Sequence, residues 1–316
     1  MDDWGWFAEL FGQVRSNVER VVRGKTHEIR LALASMVAEG HLLIEDVPGV
    51  GKTMLAKAMA RSFDCAFRRI QFTPDLLPTD ITGVNVYNQE RGDFEFKPGA
   101  VFANIVLGDE INRASPKTQS ALLESMEEQQ VTVDGVTYEL GTPFMVIATQ
   151  NPIDHEGTYP LPEAQLDRFM MRLSIGYPDA EAEDQILATH GQHSTLRDIG
   201  PITDAAGAAR MIDVARRVFV ADALRRYIVD LVDSTRRHPD VYLGASPRAS
   251  LMLLRATRAL AASEARDYAI PDDVKALALP VLAHRLIVSA DAAMSGRDAK
   301  SVLTQTLDEV PVPVER

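Results

Sequence analysis

The fold is decided by the stretch Leu42-Leu43-Ile44-Glu45-Asp46-Val47-Pro48-Gly49-Val50-Gly51-Lys52-Thr53. Its first residues are apolar and strand-like, its middle is rich in glycine, and a helix-compatible run from Met54 to Ala60 follows. In a loop between a strand and a helix, backbone N–H groups can turn inward around a phosphate, and the helix N-terminus adds partial positive charge. The stretch therefore predicts a phosphate loop.

The loop carries the two side chains that a nucleotide with Mg²⁺ requires. Lys52 is expected to reach the β- and γ-phosphates, and the hydroxyl of Thr53 to hold Mg²⁺. The usual pattern begins with glycine, whereas this chain has Asp46 there, a departure that matters little if this residue only sets the turn. ATP and Mg²⁺ are the predicted cofactors, and the predicted loop contacts are Pro48, Gly49, Val50, Gly51, Lys52, Thr53 and Met54.

Working outward, short apolar runs alternate with helix-compatible segments. The runs are Leu42–Ile44, Ala66–Phe72, Ile105–Leu107, Phe144–Ala148 and Met171–Ile175. This alternation predicts an α/β fold, a parallel sheet with helices on both faces in three layers. Two hairpins are expected to interrupt it, one around Asp134-Gly135 and a weaker one around Gly92.

The pattern changes near residue 178. Beyond Tyr177-Pro178-Asp179, the expected elements are all helical, from Glu181 to His284. We expect one domain over residues 1–178 and an all-α domain over residues 179–316. An apolar stripe over residues 4–21 predicts a helix packed on the body of the first domain, and residues 310–316 are expected to fray.

Composition narrows the function class. The chain has 316 residues, 46% of them hydrophobic and 25% charged, with a net charge of −12 and one cysteine, Cys65. The acidic balance disfavours a nucleic-acid partner, which needs a basic face. The lone cysteine, the absence of a basic signal segment and the absence of an 18-residue apolar run predict a cytoplasmic protein that is not integral to a membrane.

Two further strands are followed by polar residues. The apolar run Ile105-Val106-Leu107 leads to Asp109 and Glu110, and Phe144–Thr149 leads to Asn151. The carboxyl ends of parallel strands meet at one edge of a sheet, beside the phosphate loop. Asp109 is therefore expected to orient Mg²⁺, Glu110 to act as the base for the attacking water, and Asn151 to hold that water.

Two arginines remain open between a functional and a structural interpretation. Arg168 lies just before the fifth apolar run, and Arg248 is expected in the first turn of a helix that Ser246 can cap and for which Pro247 suits the first position. A cation at that end of a helix opposes the helix dipole, and an anionic ligand nearby would offset the cost. Taken singly, each arginine is better explained as one partner of a surface salt bridge.

Together these motifs resemble the MoxR family of AAA+ ATPases over about residues 20–290. The resemblance is carried by the phosphate loop, by the segment from Asp109 to Glu124, by Ala148-Thr149-Gln150-Asn151-Pro152 and by the segment from Leu161 to Phe169. It implies that Asn151 is sensor 1, that Arg168 is the arginine finger acting on a neighbouring subunit, and that Arg248 is sensor 2 on a helical lid. It also suggests that Arg113 faces the neighbour.

The same resemblance implies a chaperone-like machine. Its expected partners are copies of itself in a ring, commonly a hexamer, and a protein with a von Willebrand factor A domain. A GTPase switch is excluded by the absence of any Asn-Lys pair. A nucleic-acid motor remains the alternative, and a scaffold that binds ATP without hydrolysis is disfavoured because Glu110, Asn151 and Arg168 occur together.

Overall fold

A computed structural model describes residues 2–152, 157–190 and 195–313. The strands are β1 (Leu42–Glu45), β2 (Phe67–Gln71), β3 (Gly83–Asn88), β4 (Asp93–Pro98), β5 (Ile105–Asp109), β6 (Gln130–Val133), β7 (Val136–Glu139), β8 (Met145–Gln150), β9 (Met171–Leu173), β10 (Val241–Leu243) and β11 (Ile287–Val288). The helices are α1 (Asp3–Glu19), α2 (Thr26–Val37), α3 (Lys52–Ser62), α4 (Pro78–Thr82), α5 (Pro116–Glu128), α6 (Glu163–Leu166), α7 (Ala180–His190), α8 (Ala205–Arg216), α9 (Asp222–Arg237), α10 (Pro247–Ser263), α11 (Pro271–Leu282), α12 (Ala290–Met294) and α13 (Ala299–Glu309).

Five strands form the central sheet in the order β2-β5-β8-β1-β9, and all neighbours in it run parallel. The prediction of a parallel α/β sheet is confirmed. Because the strands are parallel, all of them end at one edge, which we call the carboxyl edge, and begin at the opposite amino edge. The phosphate loop leaves β1 at the carboxyl edge.

The sheet is the middle of three layers. Leu42 and Ile44 belong to the apolar cluster that contains α1, α2 and α3, whereas Leu43 belongs to the cluster that contains α5. This alternation follows from the two-residue period of a strand. Strands buried on both faces read as continuous apolar runs, which is why these segments stand out in the sequence.

Both hairpins lie where the sequence pattern places them. Strands β6 and β7 pair around Asp134 and Gly135, which have φ angles of 50° and 81°. Positive φ at both central residues is the type I′ geometry that an Asp-Gly turn favours. Strands β3 and β4 form the second hairpin, and Asn85 of β3 donates to the Asp134 carboxylate at 2.7 Å. The two hairpins therefore contact each other.

Helices α8 to α13 form the C-terminal lid, and the predicted helical character of this region is confirmed. One feature differs from the expected all-α domain, since β10 and β11 pair as a two-stranded antiparallel ribbon. These strands are far apart in the sequence and no tight turn joins them, so local pattern gives no signal for the pairing. The proposed boundary at residue 178 falls between β9 and α7.

Helix α1 contacts more than the domain to which the sequence assigns it. Phe7, Phe11 and Val14 are buried, and the helix packs against α2 and α3 but also against the lid helices α8 and α10. Asp3 forms ion pairs with two α8 residues, Arg210 within the helix and Arg217 at its C-terminal cap. The prediction that α1 packs on the first domain is therefore incomplete, because α1 also packs against the lid. Within the described ranges, no helix is long and apolar enough to cross a membrane.

Candidate active site

A cavity of about 400 Å³ opens at the carboxyl edge of the sheet. It is lined by residues of the predicted loop and by residues on or just after the strands β2, β5 and β8. Its lining consists of Pro48, Gly49, Gly51, Lys52, Thr53, Met54, Arg69, Asp109, Glu110 and Asn151. Val50 differs from its neighbours in the loop, since its side chain is buried in the core beneath it.

The loop backbone forms an open cradle. Gly49 and Gly51 have φ angles of 90° and 95°, which L side chains rarely adopt. A Cβ built on either residue would meet no atom within 4 Å, so the space above them is open. Helix α3 begins at Lys52 and directs its free N–H groups toward this space. The loop therefore fits a phosphate chain, which requires close backbone approach and positive charge.

Lys52 is held inside the loop. Its Nζ donates to the backbone oxygen of Asp46 at 2.7 Å. Burial lowers the pKa of Lys52, and the carboxylates of Asp46, Asp109 and Glu110 act in the opposite direction. The ammonium group is thus half-buried among three carboxylates at the floor of the cavity, where phosphate oxygens would supply additional acceptors.

Asp46 has a role beyond the turn. Its buried carboxylate accepts hydrogen bonds from the backbone N–H of Gly176 at 2.6 Å and from the hydroxyl of Ser174 at 3.1 Å. Both partners follow the end of β9. A glycine in this position could not make these bonds, so the departure from the usual pattern connects the phosphate loop to the segment that leads into the lid.

Asp109 and Glu110 share one threonine. The Thr149 hydroxyl donates to the Asp109 carboxylate at 2.6 Å and accepts from the backbone N–H of Glu110 at 2.9 Å. Arg69 donates to the other Asp109 oxygen at 2.6 Å. Glu110 has a φ angle of 57°, a strained value for a residue with a side chain, and it directs the chain away from β5 at the cavity wall.

The Glu110 carboxylate is positioned by two donors. Gln71 donates to it at 2.9 Å and Arg113 at 3.0 Å. Arg113 is thus placed beside the predicted base of its own subunit. Asn151, at the end of β8, is 9% exposed and lines the same cavity. No motif in the sequence predicted Arg69 and Gln71, but both lie on β2, which the sheet order places next to β5.

Arg168 and Arg248 lie elsewhere. They line a second cavity of about 360 Å³, together with His41 and Met170. Glu127 joins the two arginines, at 3.2 Å from Arg168 and 2.8 Å from Arg248. The two cavities have no lining residue in common.

The second cavity is at the amino edge, since His41 precedes β1 and Met170 precedes β9. The four residues of β1 span about 13 Å between the edges. Neither arginine is therefore placed to contact phosphates held by the loop of its own chain.

Comparisons with known proteins agree with this architecture. Residues 41–171 match the family model described as "ATPase family associated with various cellular activities (AAA)", and residues 233–306 match an AAA lid domain. Chaperone MoxR1 of Mycobacterium tuberculosis is 43% identical over 94% of this chain and 80% of its own length. The chain belongs to the MoxR family of AAA+ ATPases.

Two more proteins resemble this MoxR-family chain along nearly their full length. YeaC of Bacillus subtilis is 48% identical over 97% of this chain and 96% of its own. The crystal structure of a putative ATPase from Cytophaga hutchinsonii has a TM-score of 0.93 at 38% identity, over 99% of this chain and 97% of its own.

In this MoxR-family chain, the segment that carries Arg168 is fastened to the lid. Arg285 follows α11, is almost fully buried, and donates to the Asp167 carboxylate at 2.7 Å and to the Phe169 oxygen at 2.6 Å. Burial lowers the pKa of Arg285 to about 10 despite the nearby carboxylate. The Ser246 hydroxyl donates to Asp167 at 2.8 Å. The lid thereby fixes the position of the residue before Arg168.

Proposed function

We propose that the carboxyl-edge cavity binds Mg-ATP and hydrolyses it. Lys52 and the N–H groups of the loop bind the phosphates, and Thr53 and Asp109 supply the oxygen ligands for Mg²⁺. When bound, Mg²⁺ neutralises charge on the phosphates. Glu110 accepts the proton of the attacking water, and Asn151 orients that water.

One observation carries this proposal, the convergence of separate chain segments on a single cavity. The loop after β1, the acidic pair at the end of β5 and Asn151 after β8 are all in its lining. A solvated acidic turn would not need Thr149, Arg69 and Gln71 to hold its carboxylates in place. These hydrogen bonds hold the two carboxylates in fixed positions, which supports the interpretation of the cavity as a catalytic site.

We further propose that Arg168 and Arg248 complete the site of a neighbouring subunit. Both belong to the amino-edge cavity, about one strand length from their own phosphate loop. A contact between the amino edge of one copy and the carboxyl edge of the next is head-to-tail, and repeated contacts of this kind form a ring when the rotation between neighbouring copies closes. This placement supports the proposal of a ring, which resemblance to the family makes a hexamer.

The proposed work of the ring is to remodel client proteins in the cytoplasm. The M. tuberculosis relative is named a chaperone, which supports this direction. The β3–β4 hairpin adds an exposed apolar surface, where Tyr87 and Phe94 stack edge-to-face and are 53% and 70% exposed. Exposed apolar surface of this kind binds apolar chain segments. A partner with a von Willebrand factor A domain belongs to the proposal by family resemblance alone.

Two substitutions separate binding from hydrolysis. Lys52→Ala removes a charge-assisted contact to phosphate, so the Kd for ATP should rise by about tenfold or more. Glu110→Gln keeps the shape of the cavity but removes the base, so ATP should still bind while turnover falls by about 10²–10⁴-fold. Lys57→Ala is the matched control, because Lys57 is on the same helix and does not line the cavity.

Binding is measured with a fluorescent ATP analogue and turnover as phosphate release. Equal loss of ATP binding in the Lys52 and Glu110 variants would contradict the assigned roles. So would full hydrolysis by the Glu110→Gln protein.

A further inference from the structure

A third cavity, of about 450 Å³, lies where the end of α2 meets the lid helices α8 and α10. Three of its lining residues are arginines. The lining is Val37, Ala38, Glu39, Ala215, Arg216, Arg255 and Arg258. None of these residues lines the carboxyl-edge cavity, and of the three arginines only Arg255 also lines the amino-edge cavity, so the proposed ATP site does not account for Arg216 and Arg258.

The single carboxylate in this lining is already engaged. Glu39 accepts from Arg216 at both oxygens, from Nη2 at 2.6 Å and from Nε at 2.9 Å. This fork-to-fork geometry uses most of the acceptor capacity of the Glu39 carboxylate. Arg255 and Arg258 therefore add two positive charges that the lining does not neutralise.

Arg258 shows the consequence of this imbalance. Its Nε is buried and has no hydrogen-bond partner. Burial lowers the pKa of Arg258, the positive charge of Arg225 lowers it further, and no carboxylate contributes in the other direction. A buried guanidinium N–H without a partner is costly, because this N–H has lost water and gained no acceptor.

Arg255 is the second unmatched cation. It is exposed on α10, three residues before Arg258, so both side chains are on neighbouring positions of one helix face. Across residues 2–152, 157–190 and 195–313, neither side chain has an ion pair or a hydrogen bond. In a chain with a net charge of −12, two such arginines beside one cavity form a local excess of positive charge.

We propose that this arginine cavity binds a small anion that carries phosphate groups. Guanidinium groups match phosphate oxygens in paired hydrogen bonds, and a cavity of this size is in the range of small-ligand sites. Such an anion would contact α2 on one side and α10 on the other, and would stabilise the lid in its observed position. Arg255 also lines the cavity of Arg168 and Arg248, so the anion would bind beside the residues proposed to face the neighbouring subunit.

Inorganic pyrophosphate is a suitable probe, because it carries the phosphate charge without a base or sugar. The Lys52→Ala protein, full length, disables the phosphate loop and leaves the arginine cavity intact. Isothermal titration should show one remaining pyrophosphate site per chain. Adding Arg255→Ala should weaken this site by about tenfold or more, the effect of one charge-assisted hydrogen bond.

Arg91→Ala provides the charge-matched control, since Arg91 is in the exposed turn between β3 and β4 and its removal should leave pyrophosphate affinity unchanged. Arg258→Gln, checked by thermal melting, tests the buried arginine in a folded protein. The proposal is overturned if the Lys52→Ala protein binds no pyrophosphate, or if Arg255→Ala leaves its affinity unaltered. Either result leaves ATP hydrolysis at the carboxyl edge untouched, so the two proposals fail independently.

Discussion

Mixing two inactive variants tests whether each catalytic site is built by two subunits. Arg168→Ala retains Glu110 and the phosphate loop, whereas Glu110→Gln retains Arg168. Because Arg168 is at the amino edge and the loop at the carboxyl edge, a mixed ring can bring an intact Glu110 next to an intact Arg168. Alone, the Arg168→Ala protein should bind ATP and lose about 10³-fold in turnover, since a trans arginine acts on charge that develops during reaction.

The expected recovery follows from the head-to-tail contact. In a random one-to-one mixture, half of the subunits keep Glu110 and half of their neighbours keep Arg168. About one quarter of the sites are then complete, because each interface joins one loop to one arginine. Steady-state phosphate release from the mixture should approach a quarter of the wild-type rate, well above either variant alone.

Two control mixtures sharpen the test. Lys52→Ala mixed with Glu110→Gln should recover nothing, because both residues line one cavity of one chain. Arg168→Ala mixed with Arg248→Ala should also recover nothing, since one neighbour donates both arginines. If Arg248 acted within its own chain, this last mixture would recover about a quarter of the sites.

No recovery with Arg168→Ala and Glu110→Gln, although size-exclusion chromatography shows mixed assemblies, would refute the shared site. Full activity of the wild type as a monomer would refute it as well.

Two further predictions concern stability. Asp167→Asn leaves the buried charge of Arg285 unpaired, so it should lower the free energy of unfolding by about 3 kcal/mol, seen as a lower Tm. Asp233→Asn, in an exposed pair, should lower it by about 1 kcal/mol or less. Equal losses in the two variants would contradict the anchoring role of Asp167. Burial lowers the pKa of His41 to about 4, so the unfolded chain takes up the proton first on acidification, and stability is lost as pH falls below the ordinary histidine pKa. Between pH 7 and pH 5 His41 should contribute about 2 kcal/mol to the loss seen in denaturant titrations. Buried His284, whose pKa is also lowered, adds to the loss in the same pH range. His41→Gln should therefore reduce the pH dependence by the share of His41, whereas substitution of the exposed His27 should not, and an unchanged slope in His41→Gln would disprove the prediction.

The phosphate loop was predictable because its signal is local. The glycines, Lys52 and the apolar strand before them occur within twelve residues, and the strand-loop-helix context fixes their meaning. Asp109, Glu110 and Asn151 were predictable for a related reason. Each lies at or just after the end of a strand that is buried on both faces, and parallel strands end at one edge.

The features of the fold and the site that were not predictable depend on contacts between segments that are distant in the sequence. Arg69 and Gln71 reach the acidic pair only because β2 is next to β5, an order that strand periodicity does not determine. Arg168 and Arg248 are linked because both form ion pairs with Glu127, and these three residues come from three separate segments of the chain. The β10–β11 ribbon joins strands separated by more than forty residues. Pairing of this kind has no local sequence signature, because neither strand is stable without the other.

The aspartate at the start of the phosphate loop has a mechanical consequence. Its carboxylate accepts hydrogen bonds from Ser174 and Gly176, and helix α7, which precedes the lid in the chain, begins only four residues after Gly176, at Ala180. When phosphates draw the loop backbone inward, Asp46 should pull this short linker with it. We therefore expect the angle of the lid to respond to the occupancy of the loop through a direct bonded connection, without requiring the nucleotide itself to touch the lid of its own subunit.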